Sequence, residues 1–305
     1  MFHVACFMTY VSGFMFHASR YMFGFHKHHI IWIGWGIAMG LCTFVFFWAA
    51  QTSALRVHFF DVGQGDASLI ITPGGREVLI DTGASPHTID KKLAERRPFF
   101  DRSIDLVILT HPDKDHVAGA ATILRNYAVG GVIMPHVAKD EEFFEDIMRV
   151  VQERHIPVLY AEAGNRVRID EEIYFDILWP PKEGEKVFPA SDTNDMSIVA
   201  RLVYNNDTFL FTGDLEERGE RLLGIFGASL NAEVLKVGHH GSSTSTSEDF
   251  LARVHPHLAI ISAGTKNPYG HPHHEILERL TNTGIETLRT DENGDIILVS
   301  DGDTF

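Results

Sequence analysis

The sequence predicts an α/β fold in which mixed β-sheets pack against helices. From Leu55 onwards, short runs rich in β-branched and aromatic residues alternate with stretches of helical periodicity. Several of these runs are joined by tight turns, which is typical of sheets that contain antiparallel as well as parallel pairs. No break in composition within residues 55–305 resembles a linker, so we expect one domain there.

Turn residues bound the predicted strands. Gly63-Gln64-Gly65-Asp66 and Pro73-Gly74-Gly75 separate the first three strands, and Asn205-Asn206-Asp207 closes a later hairpin. A final hairpin is expected around Glu292-Asn293-Gly294-Asp295. The strands are predicted at residues 55–62, 67–72, 77–81, 106–109 and 132–135, as short strands within 166–178, and at 197–204, 208–212, 233–237 and 259–262.

Helical patterns fill most of the intervals between these strands, because apolar residues recur there three and four positions apart. A loop rich in Pro, Gly and Lys is expected at residues 180–195. The helices are predicted at residues 118–127, 141–154, 215–226, 247–254 and 273–282.

The N-terminal region has the composition of a membrane segment. Residues 30–50 contain no charge, and at about 1.5 Å rise per residue this run can cross a core of roughly 30 Å. The run exceeds the apolar core of a signal peptide, although Ala49-Ala50 would permit cleavage. Residues 1–29 are apolar but interrupted, which leaves a second span, an interfacial segment or an extension open. Because Arg20 and Lys27 precede the anchor, the positive-inside rule places the following domain outside the cytoplasm.

The charge balance argues against a non-specific polyanion binder. The chain carries 26 basic and 41 acidic residues, a formal net charge of −15, and Arg20 and Lys27 are the only charged residues among the first 50. Bound divalent cations could reverse the sign locally, so nucleic acid is disfavoured without being excluded. Both cysteines, Cys6 and Cys42, precede residue 51, so metal ligands beyond it must be His, Asp or Glu.

The strongest chemical signal is the segment Thr110-His111-Pro112-Asp113-Lys114-Asp115-His116. His111, Asp113, Asp115 and His116 are four candidate metal ligands that directly follow an apolar strand. A turn at the strand end can direct such side chains to two neighbouring points, which suits two metal ions in one pocket. The alternative, a solvated polar loop, does not account for histidines at both ends.

Three further polar clusters also follow apolar runs. They are Thr212-Gly213-Asp214, Gly238-His239-His240-Gly241-Ser242 and Tyr269-Gly270-His271-Pro272-His273-His274. Each could be structural alone, since Asp214 could cap a helix. Together they match the tendency of α/β sites to gather at the carboxyl ends of strands.

These motifs resemble a known family. FFDVGQGDASLI, VLIDTG, THPDKDH, TGD, LKVGHHGSSTS and NPYGHP are similar, in order and spacing, to the metallo-β-lactamase-fold domain of the ComEC competence DNA-uptake proteins. The resemblance covers about residues 55–300. It implies an αββα sandwich with a dinuclear hydrolytic site, preceded here by the transmembrane helix expected at residues 30–50.

The resemblance also assigns residues. It matches His111, Asp113, Asp115 and His116 to the signature ligands, Asp214 to a bridging carboxylate, and either His239 or His240 to a late histidine. His239 is preferred because it lies nearer the strand end. Candidates for further metal or substrate contacts are Asn194, His240, Asp61, Asp66 and Ser242, and Asp81 could orient a ligand histidine. The catalytic candidates are Asp115 and His271, the latter as an acid for the leaving group or as a substrate ligand.

The sequence departs from the broad family pattern in two ways. Asp113 replaces the middle histidine of the signature, as in ComEC-like domains, and a carboxylate there favours Mn²⁺ relative to Zn²⁺. The large multi-helix channel of ComEC proteins has no counterpart in a chain with one clear apolar span, so DNA translocation would need a separate channel protein.

The favoured hypothesis is a membrane-anchored phosphodiesterase that uses two divalent ions, Zn²⁺ or Mn²⁺, with single-stranded DNA among the candidate substrates. One alternative is a hydrolase of cell-envelope phosphodiesters or of small esters or lactams. Another is a non-catalytic binding module held at the membrane. The oligomeric state is left open.

Overall fold

The computed structural model describes residues 34–43, 54–96, 101–136, 142–182, 193–225 and 229–303. The chain divides into two compact units, Met1–Gln51 and Thr52–Phe305. In the first unit residues 34–43 are helical. No helix within the described ranges is both long enough and apolar enough to cross a membrane. The anchor expected at residues 30–50 lies mostly outside those ranges, and the segment 1–29 lies wholly outside them.

Seven strands form the first sheet of the second unit. In spatial order they are β16 (Ile296–Ser300), β1 (Leu55–Phe59), β2 (Ser68–Ile71), β3 (Glu77–Ile80), β5 (Leu106–Ile108), β7 (Val132–Met134) and β8 (Val158–Tyr160). The pairs from β16 to β3 are antiparallel, and those from β3 to β8 are parallel. The strands β4 (Ser103–Ile104) and β6 (Ala128–Val129) form a separate, two-stranded parallel sheet.

The second sheet repeats this division between antiparallel and parallel pairs. Its order is β15 (Glu286–Arg289), β14 (Leu258–Ile261), β13 (Val234–Lys236), β12 (Asp207–Phe211), β11 (Val199–Tyr204), β10 (Ile173–Trp179) and β9 (Arg166–Arg168). The pairs from β9 to β12 are antiparallel, and those from β12 to β15 are parallel.

Two helices begin at a serine whose hydroxyl satisfies a free backbone N–H group. Ser85 accepts a hydrogen bond from Thr88 N before α1, and Ser247 accepts one from Phe250 N before α6. The helices are α1 (Pro86–Glu95), α2 (Lys114–Val117), α3 (Ala120–Asn126), α4 (Glu142–Glu153), α5 (Glu217–Ile225), α6 (Glu248–Val254), α7 (His274–Asn282) and α8 (Thr290–Asn293).

Three apolar layers hold these elements together. The central layer lies between the two sheets, where the ring of Phe211 stacks on Phe59 at 5.9 Å and tilts against Phe175 at 6.4 Å. In the outer layers, α1, α3 and α4 pack on the first sheet, and α5, α6 and α7 pack on the second. The result is the predicted α/β sandwich of mixed sheets, with helices on both outer faces.

One predicted pairing is wrong. The sequence around Glu292-Asn293-Gly294-Asp295 was expected to form a hairpin, but the strands on either side of it belong to different sheets. The intervening residues form α8, and Thr290 is buried there with its hydroxyl donating to Ala263 O at 3.1 Å. Strand periodicity identifies both strands but carries no information about their partners, so it could not reveal this crossover.

Candidate metal centre

Asp81 connects the ends of two parallel strands of the first sheet. It follows β3 with a φ of 56°, a left-handed conformation that is costly for a residue other than glycine and is enriched at functional sites. Its carboxylate accepts hydrogen bonds from Thr110 N at 2.8 Å and Thr110 Oγ1 at 2.7 Å, directly after β5. Its Oδ2 also lies 2.8 Å from Nδ1 of His116. Asp81 therefore fixes both the segment Thr110–His116 and the ring of His116.

The imidazoles of His116 and His240 face each other inside the site. His240 follows β13, and its Nδ1 lies 3.0 Å from the carbonyl oxygen of Ser262. That carbonyl and the Asp81 carboxylate can only accept, so both Nδ1 atoms carry protons, and in the neutral rings both Nε2 atoms carry lone pairs. The two Nε2 atoms are 3.3 Å apart. Lone pairs at this distance repel each other unless a cation, either a proton or a metal ion, lies between them, so the arrangement fits a cation shared by the two rings.

Two carboxylates complete this group of ligands. Asp214, which follows β12, places Oδ1 3.2 Å from His116 Nε2 and Oδ2 3.5 Å from His240 Nε2. Asp115, in α2, places Oδ2 3.2 Å from His240 Nε2. Two imidazoles and two carboxylates thus converge from both sheets, and this donor set suits divalent zinc, iron or manganese.

The electrostatics of the group depend on the same contacts. Burial lowers the pKa of His240, but the Asp214 and Asp66 carboxylates outweigh it and raise the pKa to about 10. Burial likewise lowers the pKa of His116, and Asp214 and Asp81 hold it well above its usual value. Burial raises the pKa of Asp214, but His116 and His240 hold it well below its usual range. A metal ion would have to displace protons held here, so its affinity depends on pH.

A second pair of imidazoles approaches Asp214 from elsewhere in the site. Nε2 of His111 lies 3.8 Å from Oδ2 of Asp214, and Nε2 of His239 lies 3.9 Å from the same oxygen. The His111 Nε2 atom is buried and has no hydrogen-bond partner among the described residues. Burial, followed by the neighbouring His116, lowers the pKa of His111 to about 4, so this ring is neutral and can act as a ligand. Asp214 thus lies between two candidate positions for metal ions.

Asp66 is held by a buried lysine beside the ligand group. Lys236 Nζ lies 2.7 Å from Asp66 Oδ2, and the other oxygen of Asp66 lies 3.3 Å from His240 Nδ1. The ligand atoms of Asp66, His116, Asp214 and His240 all lie within 4.8 Å of one another. Because Lys236 neutralises Asp66 and His240 Nδ1 faces it, the geometry favours Asp66 as a group that orients His240 rather than a ligand.

Comparison with known proteins identifies the family of the chain. The family model for the metallo-beta-lactamase superfamily matches residues 60–265. The chain belongs to the metallo-β-lactamase superfamily. It is 33% identical to ComE operon protein 3 of Bacillus subtilis over 86% of this chain, and 32% identical to competence protein ComA of Neisseria gonorrhoeae over 81%.

The chain spans about a third of the length of these curated relatives, 35% and 32% respectively. Among solved structures, CmlA, a diiron beta-hydroxylase from Streptomyces venezuelae, is similar with a TM-score of 0.51 and 12% identity. The match covers 80% of this chain and 54% of CmlA, and at this identity it bears on the fold alone.

The metallo-β-lactamase signature, residues 110–116, follows the expected strand β5, although part of it is helical. Asp115 and His116 lie in α2, with Asp113 just before it, where the sequence suggested only a turn. Asp113 Oδ1 accepts a hydrogen bond from Thr193 Oγ1 at 2.9 Å. Asn194 is the next residue and begins a short 3₁₀ helix, Asn194–Met196. The contact with Thr193 therefore brings the segments of Asp113 and Asn194 together.

The structure distinguishes the two late histidines, for which His239 was preferred. His240 is buried with His116 and Asp214 and lies 3.2 Å from Asp115 Oδ2, whereas the ring of His239 is partly exposed and lies 3.2 Å from Glu216 Oε1. Consecutive left-handed residues cause this, with φ 48° at His239 and 55° at His240. Proximity to the strand end does not decide between the two histidines, because such a turn directs the second side chain inwards.

Two candidates lie in turns instead of in the ligand group. Asp61 Oδ1 accepts a hydrogen bond from Gly63 N at 3.1 Å. The hydroxyl of Ser242 lies 3.1 Å from Thr244 Oγ1. These contacts are local and shape the loops on which the ligands stand.

His271 lies beside the late histidines. Its ring centroid is 5.5 Å from that of His239 and 6.3 Å from that of His240. Burial, followed by those two rings, lowers the pKa of His271 to about 4. Its Nδ1 atom is buried without a hydrogen-bond partner in the described part of the chain. A neutral imidazole is therefore available to a substrate next to the ligands.

Sequence reasoning missed Thr193 and Asn267. Asn267 binds the backbone of His271 on both sides, since its Oδ1 accepts from His271 N at 2.9 Å and its Nδ2 donates to His271 O at 2.6 Å. An Asn before Pro-Tyr-Gly is a turn-forming pattern that could have indicated this role.

Proposed function

We propose that residues 55–303 form a metal-dependent hydrolase that cleaves phosphodiesters, with DNA as the substrate class. The two facing Nε2 atoms of His116 and His240 carry the proposal for metal dependence. The names of the relatives, which include a competence protein, support the DNA-related part. Because the chain covers only a third of those relatives, their full activities are not transferred to it.

The protein's own residues prepare the site for this reaction. Asp81 and the Ser262 carbonyl fix the His116 and His240 rings, while Asp214 supplies negative charge between the imidazoles. Divalent ions bound there would supply Lewis acidity toward water and toward phosphoryl oxygens. We assign to His271, whose ring lies beside those of His239 and His240, the role of contacting a substrate oxygen or the leaving group.

The test is an activity screen that crosses metals with substrates. The purified chain, freed of metal and reloaded with Mn²⁺ or Zn²⁺, would be given single-stranded DNA, bis-(p-nitrophenyl) phosphate, a p-nitrophenyl ester and a β-lactam. We expect phosphodiester hydrolysis that Asp115→Ala reduces by roughly a hundredfold or more, as expected for loss of a ligand. A chain that retains metal but hydrolyses none of these substrates would support a binding module instead.

A second candidate follows from charge. With a formal net charge of −15, the chain repels long polyanions except where bound metal ions reverse the potential. A hydrolase of small esters, lactams or cell-envelope phosphodiesters would not have to overcome this electrostatic repulsion. In the same screen, preference for a small ester or lactam over both phosphodiesters would favour this candidate.

The native metal is proposed from Asp113. A carboxylate in place of the usual imidazole is a harder donor, which raises the relative preference for Mn²⁺. We expect Mn²⁺ to support turnover at least as well as Zn²⁺, and Asp113→His to shift the optimum toward Zn²⁺. The same metal profile for both proteins would show that this position does not set metal preference.

We also propose that the segment at residues 30–50 anchors the hydrolase outside the cytoplasm, where a separate channel protein could act with it. The absence of charge in that segment and the preceding Arg20 and Lys27 support this. Reporter fusions after Phe305 would test it, and activity of a reporter that works only in the cytoplasm would contradict it.

A further inference from the structure

A loop with fixed ends and an exposed tip lies beside the ligands. After β14, residues 264–271 (the 264–271 loop) fold back on Asn267, whose Nδ2 donates to Gly264 O at 2.8 Å and to His271 O at 2.6 Å. Its Oδ1 accepts from Tyr269 N at 3.2 Å. The side chain of His273 adds a brace, because its Nδ1 accepts from Ser243 N at 2.9 Å. The loop therefore presents its tip in one conformation.

Aromatic rings connect this tip with the metal-ligand group. The Tyr269 ring stacks on His271 at 5.7 Å with an interplanar angle of 26°. His271 in turn lies against His239 and His240, as described above. Tyr269 is nevertheless 63% exposed, more than any other Phe, Tyr or Trp described in the second unit. One face of an aromatic ring, supported from behind by an imidazole, is thus open to solvent beside the candidate centre.

A cavity of about 540 Å³ adjoins the same loop. It is lined by Gly63, Gln64 and residues 264–268, which include the exposed Lys266. The Gln64 Nε2 atom is buried and lacks a hydrogen-bond partner among the described residues. The cavity is therefore lined by the exposed cation of Lys266 and by the Gln64 amide, whose N–H donor is unused.

Close backbone packing places this cavity next to the ligands. A Cβ at Gly264 would lie 2.7 Å from Gln64 N, and a Cβ at Gly65 would overlap the carbonyl oxygen of Asp115. Asp66 N also donates to that oxygen at 3.2 Å. The residues that follow one wall of the cavity thus contact the segment that holds Asp115, and the loop that forms the other wall continues to His271.

We propose that Tyr269, Lys266 and Gln64 form a subsite for the nucleotide adjacent to the cleaved phosphodiester. The base stacks on the exposed face of Tyr269, its phosphate meets the Lys266 ammonium, and Gln64 donates to a polar atom in the cavity. Stacking accepts any base, so the subsite selects single-stranded nucleic acid without selecting its sequence. The proposal rests on the proposed phosphodiesterase function and deepens it.

Kinetics on paired substrates test the role of Tyr269. The full chain, loaded with Mn²⁺, would cleave a ten-residue oligothymidylate or the same backbone with abasic sites. We expect Tyr269→Ala to raise KM for oligothymidylate by about 5- to 150-fold with little change in kcat, since stacking contributes about 1–3 kcal/mol per base. Tyr269→Phe should remain within about twofold of wild type, because the ring is kept. An equal effect of Tyr269→Ala on the abasic substrate would overturn the proposal.

Lys266 has a matched control. Lys266→Ala should reduce the slope of log affinity against log salt by about 0.7, as expected for the loss of one phosphate contact to a single strand. Lys91→Ala removes a similarly exposed lysine that pairs with Glu95 on α1 at 3.8 Å and should leave the slope unchanged. Equal slopes for wild type and Lys266→Ala would remove Lys266 from the subsite.

Binding without turnover separates this proposal from the proposed function. Fluorescence anisotropy of labelled oligothymidylate with the Ca²⁺-loaded full chain measures the subsite directly, and elemental analysis checks that the variants retain equal metal. Binding that depends on Tyr269 without hydrolysis under any metal would support the subsite and contradict the phosphodiesterase. Hydrolysis together with binding that does not depend on Tyr269 would support the phosphodiesterase and contradict the subsite. Absence of both hydrolysis and Tyr269-dependent binding would overturn both proposals.

Discussion

The geometry distinguishes two consecutive histidines that the sequence treats as nearly equivalent. His240 Nε2 lies within 3.5 Å of Asp115, His116 and Asp214, whereas His239 Nε2 lies 3.9 Å from Asp214 and the Nδ1 atom of His239 faces Glu216 at 3.2 Å. We expect His240→Ala to reduce bound metal and to lower hydrolysis by roughly a hundredfold or more. His239→Ala, its matched control, should retain more metal. Elemental analysis and rates on both variants check this, and greater metal loss from His239→Ala would refute it.

A buried ion pair beside His240 provides a second prediction at this scale. Lys236 and Asp66 are both almost fully buried and lie 2.7 Å apart. Lys236→Met leaves a buried carboxylate without its cation, which should lower the free energy of unfolding by about 3–5 kcal/mol. The double variant Lys236→Met with Asp66→Asn removes both charges and should be markedly more stable than the single variant. Urea denaturation measures both, and equal stability of the two variants would show that the pair is not energetically coupled.

At the scale of elements, local sequence patterns predicted most strands and helices. They did not predict that the first strand, β1, pairs with the last strand, β16. Strands β1, β2 and β3 are rich in apolar residues and are joined by short turns, so the sequence predicts that consecutive strands pair. The structure contains this antiparallel meander. The pairing of β16 with β1 depends on how the whole first sheet is assembled. A short stretch of sequence contains no information about this. The inward direction of His240 likewise depends on two left-handed residues in Gly238–Gly241, where the sequence offers no alternating pattern.

The same limit applies to candidate ligands. Those directly after a strand, such as His111 and Asp214, could be placed from the sequence because a strand end restricts direction. Asp61 and Asp66 lie in one turn, yet Asp66 contacts His240 while Asp61 serves the turn itself. Only the packing of the β1–β2 turn against the segment of Asp115 decides between them.

Strand β1 contains a buried histidine that should make stability depend on pH. Burial, with Arg96 and Arg56 nearby and despite Asp295, lowers the pKa of His58 to about 4, and neither ring nitrogen has a hydrogen-bond partner among the described residues. The unfolded chain binds this proton near its ordinary pKa of about 6.5, whereas the folded chain does so only near 4. Stability is therefore lost as pH falls through this window, by on the order of 2 kcal/mol.

The variant His58→Phe isolates this contribution. It removes the titrating group but keeps a ring beside Phe60, 6.1 Å away. We expect the loss of unfolding free energy between pH 6.5 and pH 4 to be smaller in His58→Phe than in wild type, as measured by urea denaturation. Parallel pH profiles for the two proteins would exclude His58 as the cause.

For the whole molecule, the two sheets explain why one site can draw on such distant segments. The segments of Asp81 and His116 follow strands of the first sheet, and those of Asp214 and His240 follow strands of the second. Because the central apolar layer fixes one sheet against the other, it also fixes the distance between these pairs of ligands. Metal binding and packing of the second unit should consequently stabilise each other.

The second unit should therefore fold without the first. Its core is closed at one edge by β16, which pairs with β1 along five residues and buries Ile296 and Leu298. We expect the fragment Leu55–Phe305 to be soluble, to unfold cooperatively and to bind close to two divalent ions per chain. At a Mn²⁺ concentration of about 100 times Kd, binding should add about 2.7 kcal/mol of stability per site and raise Tm.

The fragment Leu55–Asp295 is the matched control, because it lacks β16 and exposes both β1 and the central layer. It should fail to unfold cooperatively and should bind metal only weakly, since the ligands lose their fixed spacing. Differential scanning fluorimetry with elemental analysis measures both properties. Cooperative unfolding of Leu55–Asp295 at the same Tm would contradict the role assigned to β16. Absence of retained metal and of any thermal shift in Leu55–Phe305 would contradict the metal centre itself.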